Sequence, residues 1–377
     1  MWKTVELSSV ATVTAGQSPK GKHYNKEGRG TPFYQGKKDY GERYLKEPTV
    51  WTEVVTKLAE KDDILMSVRA PVGSLNISTQ QICIGRGLAA IRPSTEILHD
   101  FLFYSLLLIS QQLKGNVGIG FNSINKAQIE AIKIPLPPLA EQKRIVAKLD
   151  AAFAEIDNTS ELEEEKLKSV QALVGAKLES MFNDARFEER RLKNVCKFVG
   201  GSQPPKSTFE YEKTDENIRL IQIRDYKSDK HLTYIPKEKA KRWCTETDVM
   251  IGRYGPPIFQ ILRGIEGAYN VALMKAIPSD ELDNDYLFYF LSNRKIQNYV
   301  INKSSRAAGQ SGVNKDALEP YPINVPPKEK QLLIVRETKY LIEQTKSIEN
   351  CCMEKLEALA SLKLAILSQE LQLSEAA

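Results

Sequence analysis

The second half of this chain restates the first, and that constrains its fold more than any single motif. At an offset of 185, Leu7, Val10, Val13, Gly16 and Pro19 return as Leu192, Val195, Phe198, Gly201 and Pro204. Asp63-Ile64-Leu65-Met66 returns as Asp248-Val249-Met250-Ile251, and Asp100-Phe101-Leu102-Phe103-Tyr104 as Asp285-Tyr286-Leu287-Phe288-Tyr289. The offset then widens to 189, where Ile124-Asn125-Lys126 meets Val313-Asn314-Lys315, Pro137-Pro138 meets Pro326-Pro327, and Gln142 meets Gln331. Collinear matches over nearly 377 residues predict one fold built twice.

Each copy divides in two. Its first part mixes short buried strands (Asp62 to Val68; Asp248 to Arg253) with amphipathic helices (Asp100 to Leu113; Asp285 to Val300). Asn125, with Gln128 three positions on, reads as a helix cap. The second part starts after Pro-Pro, contains no proline and predicts one long helix. The expected layout is residues 1–138 mixed domain, 139–182 helix, 183–327 second mixed domain, 328–377 second helix. The fold class is α+β.

A narrow 3,4 stripe runs along both helices: Val146, Leu149, Phe153, Ile156, Leu167, Val170 and Val174 in one, Val335, Ile342, Leu356, Leu359 and Ile366 in the other. Lys177 and Lys363 also fall on it. So narrow a stripe needs a partner, and the other copy is at hand. About 44 residues make a rod of ~65 Å. Antiparallel pairing is expected, with a mixed domain at each end under a pseudo-twofold axis, because each domain is attached at the start of its own helix.

Charge alternates along the chain. Both mixed parts are mildly basic, the first helix is acidic and the second is neutral, within a net charge of +5. The basic parts favour a polyanion as partner. The longest apolar run, Phe101 to Ile109, is too short to cross a bilayer, and the start lacks a signal-peptide pattern, so a cytoplasmic location is expected. Five scattered cysteines and three histidines predict reduced thiols and no metal site. Gly16-x-x-x-x-Gly21-Lys22 lacks the following Ser or Thr of a phosphate loop, and Gly115 to Gly120 follows a helix where a dinucleotide fold needs a strand. With no nucleophile elbow and no zinc-protease motif, the chain reads as non-catalytic. Asp63 and Asp248 read as turn residues entering a strand.

Two basic modules held apart by a rod suit the reading of two DNA segments, since rigidly spaced modules multiply their selectivities. Ile132-Lys133-Ile134-Pro135-Leu136-Pro137-Pro138-Leu139-Ala140-Glu141-Gln142-Lys143-Arg144-Ile145-Val146-Ala147-Lys148-Leu149 resembles the join between recognition domain and helix in specificity subunits of type I restriction–modification enzymes. Asp63-Ile64-Leu65-Met66-Ser67-Val68-Arg69 and the tandem plan are similar to that family too. The resemblance implies a DNA-binding subunit without an active site, whose two target-recognition domains each read half of a bipartite site while the coiled coil sets the spacer. It implies two modification (methyltransferase) subunits and two restriction subunits as partners, with S-adenosylmethionine, ATP and magnesium on those partners and no cofactor on this chain. Candidate DNA contacts are basic, amide or aromatic side chains in loops that differ between the copies: Lys20, Lys22, Lys37, Lys38, Arg69, Arg86 and Asn122 in the first, Lys206, Arg224, Lys227, Arg253, Tyr254 and Arg306 in the second. The alternative is a coiled-coil protein-interaction scaffold without DNA sequence specificity.

Overall fold

The computed structural model describes residues 2–115, 123–306 and 312–371. The chain forms two compact units, Met1–Glu163 with Met353–Ala377, and Glu164–Cys352.

In the first unit an antiparallel sheet runs in the order Ala11–Ala15, Leu88–Pro93, Ile64–Ser67, Leu75–Ile77. Every residue of Ile64–Ser67 is buried because both faces of the sheet are covered. Alternation sorts the side chains between two cores. Ile64, Met66, Ala89 and Ile91 face the core built with the helix His99–Gly115, while Leu65, Leu88 and Ala90 face one built with Tyr34, Ile82 and Ile84. That smaller core belongs to a second sheet, in which Thr31–Tyr34 pairs in parallel with Ile82–Ile84.

The second unit repeats the plan. Its sheet runs Cys196–Gly200, Leu273–Pro278, Val249–Gly252, Gln260–Leu262, with Val249 and Ile251 facing one core and Met250 the other. Asn217–Ile221 pairs in parallel with Gly267–Tyr269, as in the first unit. One expectation fails here. The helix foreseen over Asp285 to Val300 is two helices, Asn284–Ser292 and Arg294–Arg306, because Asn293 adopts an extended conformation (φ −68°, ψ 138°) between them.

Asp63 and Asp248 are turn residues. Asp63 accepts from the Glu60 amide at 2.8 Å and takes a bidentate bond from Arg92 at 2.7 and 2.8 Å. Asp248 accepts from the Thr245 amide at 2.7 Å and from Lys275 at 2.6 Å. Asn125 closes a capping box with Gln128, and Asn314 caps its own short helix.

The long helices are Leu139–Phe182 and Lys328–Leu371. In the first unit Lys148 pairs with Glu370 at 2.6 Å, Asp157 with Lys363, and Glu163 with Lys355 at 3.1 Å. In the second, Gln171 donates to Glu349 at 2.7 Å and Lys177 pairs with Glu337 at 3.1 Å. One index rises as the other falls, so the helices form an antiparallel coiled coil. Lys177 and Lys363 reach carboxylates from the seam, and the Lys363 ammonium also lies 4.9 Å from the centre of the Phe153 ring.

The stripe has two roles. Val146, Leu149, Phe153, Ile156, Leu359 and Ile366 join the main core of the first domain, and Val335 joins that of the second. Leu167, Val170, Val174 and Leu356 are half-buried along the coiled coil. Ile342 departs from expectation: it is 42% exposed, and Leu341 is the more buried residue at that turn. Both positions fit a 3,4 spacing, and at 100° per residue they flank the line through Thr338, Thr345, Glu349 and Cys352 at about equal angles, so packing rather than periodicity selects Leu341.

The Pro-Pro join is fixed by a buried glutamine. Gln142 accepts from the Leu98 amide at 2.7 Å and donates to the carbonyls of Pro137 at 2.9 Å and Glu96 at 3.1 Å. Gln331 repeats this with Asp283, Pro326 and Glu281 at 2.7, 2.7 and 2.8 Å. An arginine adds a second brace from a different loop in each unit. Arg43 bonds Asp100 at 2.7 Å and lies over Phe103 and Tyr104, with Asp150 of the long helix 3.9 Å away. Arg263 bonds Asp285 at 2.7 Å over Phe288 and Tyr289, and Lys339 of the other long helix bonds the same carboxylate at 2.6 Å. The Asp100 carboxyl is held below the usual carboxylate range by the hydrogen bond from His99 and by Arg43, despite partial burial. At Asp285 partial burial opposes ionisation, but Lys339 and Arg263 outweigh it and hold that carboxyl low too.

Candidate nucleic-acid interface

In each unit four segments converge beside the parallel strand pair. In the first, the Gly16 amide donates to Leu88 O at 2.9 Å, Gln17 N to Ile84 O at 2.9 Å, Gly85 N to Tyr34 O at 2.8 Å and Val68 N to Gly87 O at 2.9 Å. A side chain at Gly16 would place its Cβ 2.2 Å from the Gly85 carbonyl oxygen, so only glycine lets the segments close up. The second unit reproduces the bonds. Gly201 N donates to Leu273 O at 2.9 Å, Ser202 N to Tyr269 O at 3.1 Å, Asn270 N to Ile221 O at 3.1 Å and Arg253 N to Ala272 O at 2.9 Å.

In the first unit this crossing frames a cleft of about 230 Å³, lined by Gln35, Gly36, Lys37, Ser67, Arg69, Ala70, Arg86 and Gly87. Three of the seven candidates, Lys37, Arg69 and Arg86, meet there, and all three are exposed. Among the described residues none of their side chains forms an ion pair or a hydrogen bond, whereas Arg43 and Arg92 of the same unit are paired with Asp100 and Asp63. Three uncompensated cations around one small cleft make a positive field that attracts an anion or a base edge rich in acceptors. Lys38 follows Lys37 and is exposed. Lys20 and Lys22 are exposed just past Ser18, whose hydroxyl accepts the Arg86 amide at 3.1 Å. Asn122 lies outside the described residues.

The matched backbone bonds define equivalents in the second unit. Lys37 corresponds to Arg224, Arg69 to Tyr254 and Arg86 to Val271. Arg224 lines a pocket of about 410 Å³ with Tyr211, Lys213, Asp229, Lys230 and His231, where its guanidinium donates to the His231 carbonyl at 3.3 Å and lies 3.8 Å from the Asp225 carboxylate. Arg253 sits differently from what its sequence position promises. Its guanidinium donates to the carbonyls of Val313 at 2.9 Å and Val271 at 3.0 Å, and lies 5.2 Å from the centre of the Tyr254 ring. These bonds tie it to the scaffold, where it fixes its neighbours. Lys206 is exposed on a one-turn segment, Lys227 is exposed just past the end of another, and Tyr254 is 40% exposed. Arg306 ends its helix, and its side chain lies outside the described part.

Sequence reasoning missed Val271, Lys213, Lys230 and Tyr211. Val271 had a signal, since the offset of 185 carries Arg86 onto it. The others come together only through the loop closure that pairs Glu210 with Tyr234. Among the described residues no cluster of His, Cys, Asp and Glu could hold a metal ion, and no helix is long and apolar enough to cross a membrane.

Two repeats of one sheet-and-helix module, each with such a crossing, coincide with a family model described as "Type I restriction modification DNA specificity domain", which matches residues 1–172 and 185–358. The chain belongs to that family. A putative type I restriction enzyme MjaX specificity subunit of Methanocaldococcus jannaschii is 41% identical over 174 residues, 45% of this chain and 40% of that protein. The StySPI specificity subunit of Salmonella potsdam is 24% identical over 277 residues, 67% of this chain and 60% of that one. The chain thus spans about half the length of these relatives. A chain from a solved structure of the type I R-M system, concerned with complex assembly and conformational transition, shares the fold with a TM-score of 0.78 at 20% identity. That match covers 98% of this chain and 97% of that one.

Proposed function

We propose that this chain is the DNA-binding specificity subunit of a type I restriction–modification complex, each domain reading one half of a bipartite site. The observation that carries the reading is the occurrence of the specificity domain in both copies. The unpaired cations at the crossing of the first domain support it, because phosphate neutralisation supplies the sequence-independent part of DNA affinity.

In this reading the antiparallel helices set the unread spacer and dock two modification subunits. Leu162, Leu173, Tyr340 and Met353 are exposed apolar side chains on those helices and are available to such partners. Two restriction subunits complete the cleaving assembly. Methyl transfer with S-adenosylmethionine, and cleavage with ATP and magnesium, belong to the partners, and this chain supplies the address in the cytoplasm. The test is to express the chain with its modification partner and map methylated positions. A two-part motif with a fixed gap is expected, and binding only to a protein partner with no effect on DNA overturns the reading.

A further inference from the structure

A comparison of the two crossings separates backbone contacts from base contacts. The phosphate backbone is chemically the same in both half-sites, so a residue that grips it has reason to stay basic in both copies. A residue that reads a base differs when the bases differ. Lys37 remains a cation as Arg224, whereas Arg69 becomes Tyr254 and Arg86 becomes Val271 on the same hydrogen-bonded frame.

Resting on the proposed DNA-binding reading, we propose that Arg69 and Arg86 read a base edge in the half-site of the first domain, that the base is guanine, and that Lys37 holds a phosphate. Arginine forks onto the O6 and N7 acceptors of guanine, and the two guanidiniums lie free of carboxylates in one cleft of about 230 Å³. The corresponding place in the second domain offers Val271 and Tyr254, each 40% exposed and both held by Arg253. An apolar side chain there suits a thymine methyl, so an A·T pair is read. Arg253 is the positioning residue of that half, since it holds the Val271 carbonyl and stacks on Tyr254.

The experiment uses the full chain assembled with its modification partner, methylome mapping and DNA-binding titrations against salt. Arg69→Ala, Arg86→Ala and the milder Arg86→Gln relax one G·C position in one half-site, on the order of ten- to a hundredfold in discrimination, and leave the other half unchanged. Lys37→Ala leaves the motif intact, weakens binding to all sequences alike and lowers the salt slope by about 0.9. The proposal is overturned if the arginine variants weaken all sites equally with the same loss of slope, or if the affected position is not G·C. A wild-type complex that yields no bipartite motif refutes the functional reading itself, which is a separate outcome.

Discussion

Replacing Gln142 by leucine keeps roughly the same volume and removes the three side-chain hydrogen bonds of that residue at the join. The residue is fully buried, so water cannot take over. The Leu98 amide loses its acceptor, and an orphaned buried N–H costs about 1–3 kcal/mol. The carbonyls of Pro137 and Glu96 each lose one bond, at about 1 kcal/mol apiece, for a total of about 3–5 kcal/mol. A chain of two units need not unfold in one step, so each unit requires its own reporter. The three tryptophans allow this, because Trp2 and Trp51 lie in the first unit and Trp243 in the second. In a Trp243→Phe background, urea unfolding followed by fluorescence reports the first unit. With a slope of about 2 kcal/mol per molar, the midpoint falls by about 2 M. Gln331→Leu, read through Trp243 in a Trp2→Phe, Trp51→Phe background, moves the second unit instead. A Gln142→Leu shift below about 0.3 M refutes the view that these bonds hold the helix to the domain.

Asp285→Asn destabilises the second unit by about 1 kcal/mol at pH 7, a partly exposed carboxylate between two cations. Because the folded-state pKa is depressed, that stability is present above the ordinary carboxylate pKa and is lost as pH falls through the lowered one. Urea midpoints of wild type and variant therefore converge in acid, and a gap that persists there refutes the charge argument. Gly201→Ala sets a Cβ 1.9 Å from the Asn270 carbonyl oxygen and costs about 1–3 kcal/mol, seen as a lower midpoint for the second unit alone. Deleting one heptad from each long helix shortens the rod by about 10 Å. The gap in the methylated motif then shrinks while both half-sites stay readable, and an unchanged gap sinks the ruler role.

Part of this architecture is legible in the amino-acid sequence itself. The repeat, the proline-framed start of each long helix and the capping role of Asn125 are local or periodic properties, and backbone sterics express them wherever the segment lies. The pairing of the helices followed from an apolar stripe that one helix cannot bury alone, and its antiparallel sense from the attachment of each domain at the start of its own helix. The choice of Leu341 over Ile342 did not follow, because both satisfy the spacing and only the packed neighbour selects between them. The break at Asn293 was hidden for a similar reason, since Tyr286 to Val300 keeps a helical pattern across it.

The candidate interface divides along the same line. Sequence alone determined that the chain is two copies of one module, each basic and each leading into a rod, because repetition, charge and periodicity are written residue by residue. Tertiary structure decided which cations share a cleft and which are committed elsewhere. Lys37, Arg69 and Arg86 come from three loops that meet only when Gly16 lets the strands cross, and Arg253, chosen for the same reasons, turns inward to two carbonyls. The electrostatic field at a point depends on distance through space, which the order of residues along a chain does not specify.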